Sequence, residues 1–195
     1  MEDAVPEARG TPPAPAPRTA SRTVRVWDLP LRLWHWLLAV LVLIAWFTPT
    51  VHDGLHRIVG YGVIGLLLFR LLWGALGSRY SRFRMLGARL RAAPGYLWNL
   101  RRGITGRYIG LNPAGALMLV VLLLALAISA ITGAMSVTVT FFGIWWVEDT
   151  HAWSSDAVIV LVALHIAGVV LMSILQRENL IRAMISGRKR IRNRP

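Results

Sequence analysis

The chain has 195 residues, 55% of them hydrophobic and only 16% charged, a balance too apolar for a soluble domain that predicts a polytopic membrane protein. It contains no cysteine, which excludes disulfides, cysteine-ligated zinc, iron–sulfur clusters and thioether-bound haem. The formal net charge of +13 is carried by segments between apolar spans, which favours the positive-inside rule over nucleic-acid binding.

Residues 1–23 begin "MEDAVPEARGTPPAPAPRTA", rich in Pro and Ala and without an apolar core. They are expected to form a disordered tail rather than a signal peptide. Residues 24–189 are expected to be one transmembrane domain of four helices, followed by a basic tail, 190–195. The first span is predicted at Leu33–Pro49, "LWHWLLAVLVLIAWFTP", and the second at His56–Leu76, "HRIVGYGVIGLLLFRLLWGAL". The third is predicted at Asn112–Val137, "NPAGALMLVVLLLALAISAITGAMSV", and the fourth at His151–Gln176. Trp34, Trp36, Trp46, Trp73, Trp145, Trp146 and Trp153 fall near span ends, where interfacial aromatics belong.

Arginine sets the expected orientation. Arg9, Arg18, Arg22, Arg25 and Arg32 precede or open the first span, eight more arginines lie between spans two and three, and the C-terminal segment is basic again. The other two loops carry Asp53, Glu148 and Asp149 instead. Both termini are therefore expected in the cytoplasm. "YLWNLRRGITGRYIG" in the long inner loop mixes aromatics with arginines and is expected to lie on the anionic inner leaflet.

Four of the five histidines, His35, His56, His151 and His165, fall within or at the ends of spans. Polar groups at that depth are costly and usually have a task, although any one alone also fits a hydrogen-bonded helix–helix contact. His151 and His165 are fourteen residues apart, close to four whole turns, so they share a face about 21 Å apart along the axis. One metal ion could not reach both; two centres stacked along the helix could. Topology places His56 with His151 at the outer level and His35 with His165 at the inner one. Each pair can supply the opposed imidazoles that bis-histidine haem ligation needs. His35 lies near its helix end and His165 nearer mid-span, a mismatch that continuation of the fourth helix into "RENLIRAM" would reduce. His52, in the short "TVHDGL" loop, reads as an ordinary loop histidine.

Arg70 lies fourteen residues after His56, on the same face at the inner level. There it can pair with a haem propionate or snorkel to the interface. Gly60, Gly62, Gly65 and Gly168 leave room either for a flat macrocycle or for close helix packing.

With these pieces the chain resembles the bacterial cytochrome b561 and nickel-hydrogenase cytochrome b subunits. The resemblance rests on "VRVWDLPLRLWHW", "HRIVGY", "LLLFRLLWG" and "GLNPAGALM", the His151-to-His165 spacing, and "RENLIRAMISGRK". It covers Val24 to Lys189. It implies an all-α, four-helix membrane bundle with b-type haem, two by the histidine count, whose iron ligands fall on His35, His56, His151 and His165. Many relatives have a histidine just before the Asn-Pro of the third helix, where this chain has Leu111, so no role is carried to that position. The function implied is electron transfer in the bacterial inner membrane between quinone or quinol and a partner. That partner would be a c-type cytochrome, or a hydrogenase or dehydrogenase module. The rival readings are a small transporter or scaffold whose histidines only bridge helices, and a stand-alone oxidoreductase acting on superoxide or quinone.

Overall fold

A computed structural model describes residues 22–78, 81–104, 106, 108 and 110–191. The expected N-terminal tail falls almost wholly outside the described residues. Four helices among them are long and apolar enough to cross a membrane: α1 (Leu29–Phe47), α2 (Asp53–Leu76), α5 (Pro113–Ser136) and α6 (Trp145–Leu175). Two short helices, α3 (Phe83–Arg91) and α4 (Ala93–Arg101), occupy the long arginine-rich loop, and α7 (Leu180–Ser186) follows α6.

Local chemistry sets the helix starts. Asp28 caps α1, its Oδ1 accepting the Leu31 N–H at 2.9 Å, with Pro30 in the first turn where no N–H is needed. This cap starts the helix four residues before the purely apolar run. Asn112 caps α5 through the Gly115 N–H at 2.6 Å, with Pro113 at its first position. The helix α2 opens on Asp53, which pairs with Arg57 one turn on.

The fourth span differs most from expectation. The helix α6 begins at Trp145, six residues before His151, and ends at Leu175. It does not run on into "RENLIRAM". Gln176–Asn179 interrupts the helix, Arg177 takes a left-handed φ of 49°, and α7 starts with the Asn179 side chain accepting from the Arg182 N–H at 2.7 Å. Gly187, φ 74°, then ends α7 with its N–H on the Ala183 carbonyl.

A two-stranded antiparallel ribbon was not foreseen: β1 (Arg22–Arg25) pairs with β2 (Arg188–Ile191), Arg22 opposite Ile191 and Arg25 opposite Arg188. It brings the two ends of the described chain together, on what we call the terminal side. The hairpin between α1 and α2 and the turn between α5 and α6 lie at the opposite, far side.

The core is built by α1, α2, α5 and α6 around Leu31, Trp34, Leu38, Val42, Val63, Leu126 and Val158. Outward faces stay apolar, with Leu33, Phe47, Leu72, Leu124 and Ile174 exposed, the pattern for a chain whose surroundings are lipid. The helices pack in the order α1, α2, α5, α6, each along the next. The backbones of α1 and α6 scarcely meet, and neither do those of α2 and α6. The segment expected on the leaflet divides its contacts. Trp98 is exposed, whereas Tyr96 is buried and directs its hydroxyl at Met172 Sδ of α6 at 4.0 Å.

Candidate haem-binding site

The two imidazole pairs read from the spacing are brought together. His56, in the first turn of α2, and His151, in the second turn of α6, have ring centroids 6.0 Å apart at the far side. His35 of α1 and His165 of α6 have centroids 6.4 Å apart towards the terminal side. Both pairs span helices whose backbones scarcely meet, so the rings reach across a gap. The expected mismatch is reduced: α1 starts four residues before its apolar run, which places His35 six residues inside its helix, against ten between His165 and the end of α6.

Hydrogen bonds fix the far-side rings. The Nδ1 of His56 lies 2.9 Å from the Ala45 carbonyl oxygen, and that of His151 lies 2.8 Å from the Ser129 carbonyl oxygen. A carbonyl can only accept, so each Nδ1 carries the proton and each Nε2 keeps a free lone pair. This is the tautomer a metal-ligating histidine uses when its other nitrogen is anchored. On the terminal side, His35 Nδ1 is buried with no hydrogen-bond partner.

The far-side rings open on a cavity of ≈ 440 Å³ that includes Trp46, Gly60, Ser129 and Asp156 in its wall. Gly133 of α5 is needed there: a Cβ at that position would lie 2.7 Å from Cε1 and 2.9 Å from Nδ1 of His151. Among the glycines singled out in the sequence, Gly60 lines this cavity. Gly62 packs against Leu41, and Gly65 and Gly168 face open space. Gly133, Ser129 and Asp156 were missed by sequence reasoning. Only the acid within an apolar span could have signalled Asp156; nothing local marks the other two.

Arg70 does not snorkel. It is 4% exposed, its guanidinium 5.7 Å from the Trp34 ring centroid and 5.2 Å from that of Phe83, with Nη1 donating to the Ser81 carbonyl at 3.2 Å. Its Nε is buried without a partner. Asp28 stands close by and accepts from Trp73 Nε1 at 3.2 Å and Ser81 Oγ at 2.9 Å. Burial pushes the Asp28 carboxyl up, but hydrogen bonds from Ser78, the Leu31 N–H, Ser81 and Trp73 outweigh it and hold the group below the ordinary aspartate value. His52 sits exposed at the N-terminal boundary of α2, outside the cavity wall.

Among the described residues no group of three or more His, Asp or Glu side chains could hold a bare metal ion. Two facing imidazoles suit a metal that brings its own equatorial donors, as in a porphyrin. Metal–imidazole bonds of about 2 Å put the centroids of two opposed rings about 6 Å apart, which both pairs match. The unpartnered His35 Nδ1, the free Nε2 of the far-side rings, and the glycine that makes room for His151 all fit such a group.

Comparison with curated proteins and with solved structures gives no match. The family model described as prokaryotic cytochrome b561 matches residues 26–187, a range that holds all four spans and all four paired histidines. The chain therefore belongs to the prokaryotic cytochrome b561 family, membrane cytochromes that bind b-type haem and act in electron transfer.

Proposed function

We propose that this protein is a di-haem cytochrome passing electrons between quinone or quinol and a redox partner. The single observation carrying this reading is the pair of imidazole pairs, 6.0 and 6.4 Å between centroids, each across a gap between helices. His56 with His151 would hold one haem and His35 with His165 the other. When bound, each haem supplies a reversible one-electron change at iron.

The protein's own residues do the rest. The Ala45 and Ser129 carbonyls hold the far-side rings in one tautomer and orientation and raise their basicity as ligands. Apolar walls from Val42, Val63, Leu126 and Val158 exclude water. The unpartnered Nε of Arg70 is assigned to a propionate carboxylate of the terminal-side haem. The arginine-rich terminal side is assigned to the cytoplasm of a bacterial inner membrane. The far side carries Phe142, Trp145, Trp146, Glu148 and Asp149 near His151. These aromatics and acids suit a quinone ring or a basic partner: a c-type cytochrome, or a hydrogenase or dehydrogenase module.

A reduced-minus-oxidised visible spectrum of the purified protein, with a haem-to-protein ratio, tests the reading. Two low-spin bis-histidine haems per chain are expected. A colourless preparation made with ample haem would leave histidines that merely bridge helices, as in a transporter or scaffold.

A further inference from the structure

Serine and threonine hydroxyls inside an apolar helix ordinarily bond back to a carbonyl of the preceding turn. Thr132, Thr150, Ser154 and Ser173 do so here, each to the carbonyl four residues earlier at 2.6–2.7 Å. Ser129 of α5 and Ser155 of α6 depart from this. Their hydroxyl oxygens lie 2.8 Å apart and bond to each other across the two helices. Among the described residues this is the one hydrogen bond between side chains of two different spans. Both serines stand in the wall of the cavity shared by His56 and His151. The Ser129 carbonyl also takes the His151 Nδ1–H at 2.8 Å. His151 and Ser155 are four residues apart on one face of α6. One residue of α5 therefore grips α6 at two points, about 6 Å apart along its axis. A single contact would leave α6 free to turn about it, whereas two fix its rotation and its depth. The carbonyl has competing duties. Within α5 it accepts the N–H four residues on, that of Gly133, and Thr132 Oγ1 lies 3.2 Å from it. Its bond to His151 comes from the side and depends on how α6 is held.

We propose that Ser129 and Ser155 are positioning residues for His151: their hydroxyl bridge sets the Nδ1–H to carbonyl bond that makes this ring a strong iron ligand. This rests on the two-haem reading above. The hydroxyls act through the carbonyl they hold in register and are not themselves ligands. A hydrogen bond from Nδ1–H to a carbonyl draws the proton away from the ring and makes Nε2 more basic. A more basic ligand favours ferric iron, which carries one more positive charge than ferrous. Loosening the bridge therefore weakens the ferric site more than the ferrous one and raises the far-side potential. The carbonyl itself remains when a hydroxyl is removed. The effect should thus fall below the 10–100-fold scale of losing such a partner outright, at about three- to tenfold in the ferrous-to-ferric ratio.

The test is a redox titration of the full-length protein as wild type, Ser129→Ala, Ser155→Ala and the double variant. The far-side haem is identified as the spectral component lost in His151→Ala. Either single change should raise the far-side potential by the equivalent of about three- to tenfold in the ferrous-to-ferric ratio, with the terminal-side potential unmoved. The double variant should go no further than the singles, because one bridge can be broken only once. Two independent routes to the same broken bridge keep the test open if one variant folds poorly. Ser154→Ala is the control: it removes a neighbouring hydroxyl that bonds within α6, and both potentials should stay at wild type. An unmoved or lowered far-side potential overturns the proposal while leaving the two-haem reading intact. So do single shifts that add in the double variant, equal shifts at both haems, or the same shift in Ser154→Ala. A wild-type protein with fewer than two haems overturns both.

Discussion

The two histidine pairs share one helix and nearly one separation, yet they are built differently. Both far-side rings are locked by hydrogen bonds to backbone carbonyls of α1 and α5, and they face a cavity already open. At the terminal side His35 Nδ1 finds no partner, and its ring is positioned by packing against Trp36 and His165. The far-side site is therefore organised in advance, whereas the terminal-side site relies on its ligand to complete it. Anchoring of a ligand's second nitrogen is commonly worth 10–100-fold in metal affinity. The lesson is that equal spacing along α6 does not make equal sites.

The largest effects should come from the ligands. His151→Ala should deplete the far-side haem and His35→Ala the terminal-side one, each leaving about one haem per chain, since removing a ligand leaves a buried iron site open. Each change should also lower membrane abundance, because a bound cofactor stabilises the fold. The difference in preorganisation sharpens the comparison: with limiting haem, the wild-type far-side site should fill first. Spectra recorded as haem is added would break the comparison if both sites filled together.

Gly133→Ala comes next. Its Cβ would meet the His151 ring at 2.7 Å, and crowding of this kind typically costs about 1–3 kcal/mol. The far-side haem should be lost or perturbed while the terminal-side spectrum persists. A change in neither would mean the ring can move aside freely.

Asp28→Asn should cost about 1 kcal/mol, the usual scale for a weakened cap and its hydrogen bonds, and should act on the terminal side alone. The carboxyl is depressed in the folded chain. Its contribution is therefore fully present above the ordinary aspartate value of about 4 and fades as pH falls through its own lower value. Thermal melts of wild type should lose this increment in acid, and melts of Asp28→Asn should lack that component. Parallel acid profiles would count against a stabilising Asp28 carboxylate.

A smaller shift is expected for Arg70→Leu. Loss of the guanidinium should lower the terminal-side potential more than the far-side one, by an amount limited by Asp28, which already offsets part of the charge. An unchanged terminal-side potential would leave Arg70 as a clamp holding Ser81 and Phe83 to the bundle. His52→Ala should leave both haem spectra as they are, because the residue is exposed and outside the cavity. Spectral loss there, with none on changing His56, would reverse the assignment of the far-side ligand.

The sequence by itself determined what depends on a single helix. Span length and apolarity follow from bilayer thickness, and the shared face of His151 and His165 follows from 3.6 residues per turn. The antiparallel order of spans then sufficed to match His56 with His151 and His35 with His165. Helix boundaries shifted by four residues at Asp28 and six at Trp145, because caps and interfacial aromatics extend a helix beyond its greasy run. Tertiary structure alone decided the rest. The carbonyls of Ala45 and Ser129 reach the rings from neighbouring helices, Gly133 yields space to a side chain on α6, and Asp28 meets Trp73 and Ser81 across 45 and 53 residues of chain. The pairing of β1 with β2 joins positions more than 160 residues apart. Periodicity repeats within a helix and so can be read along the chain, whereas a contact between helices depends on their rotation and depth, which no local pattern encodes.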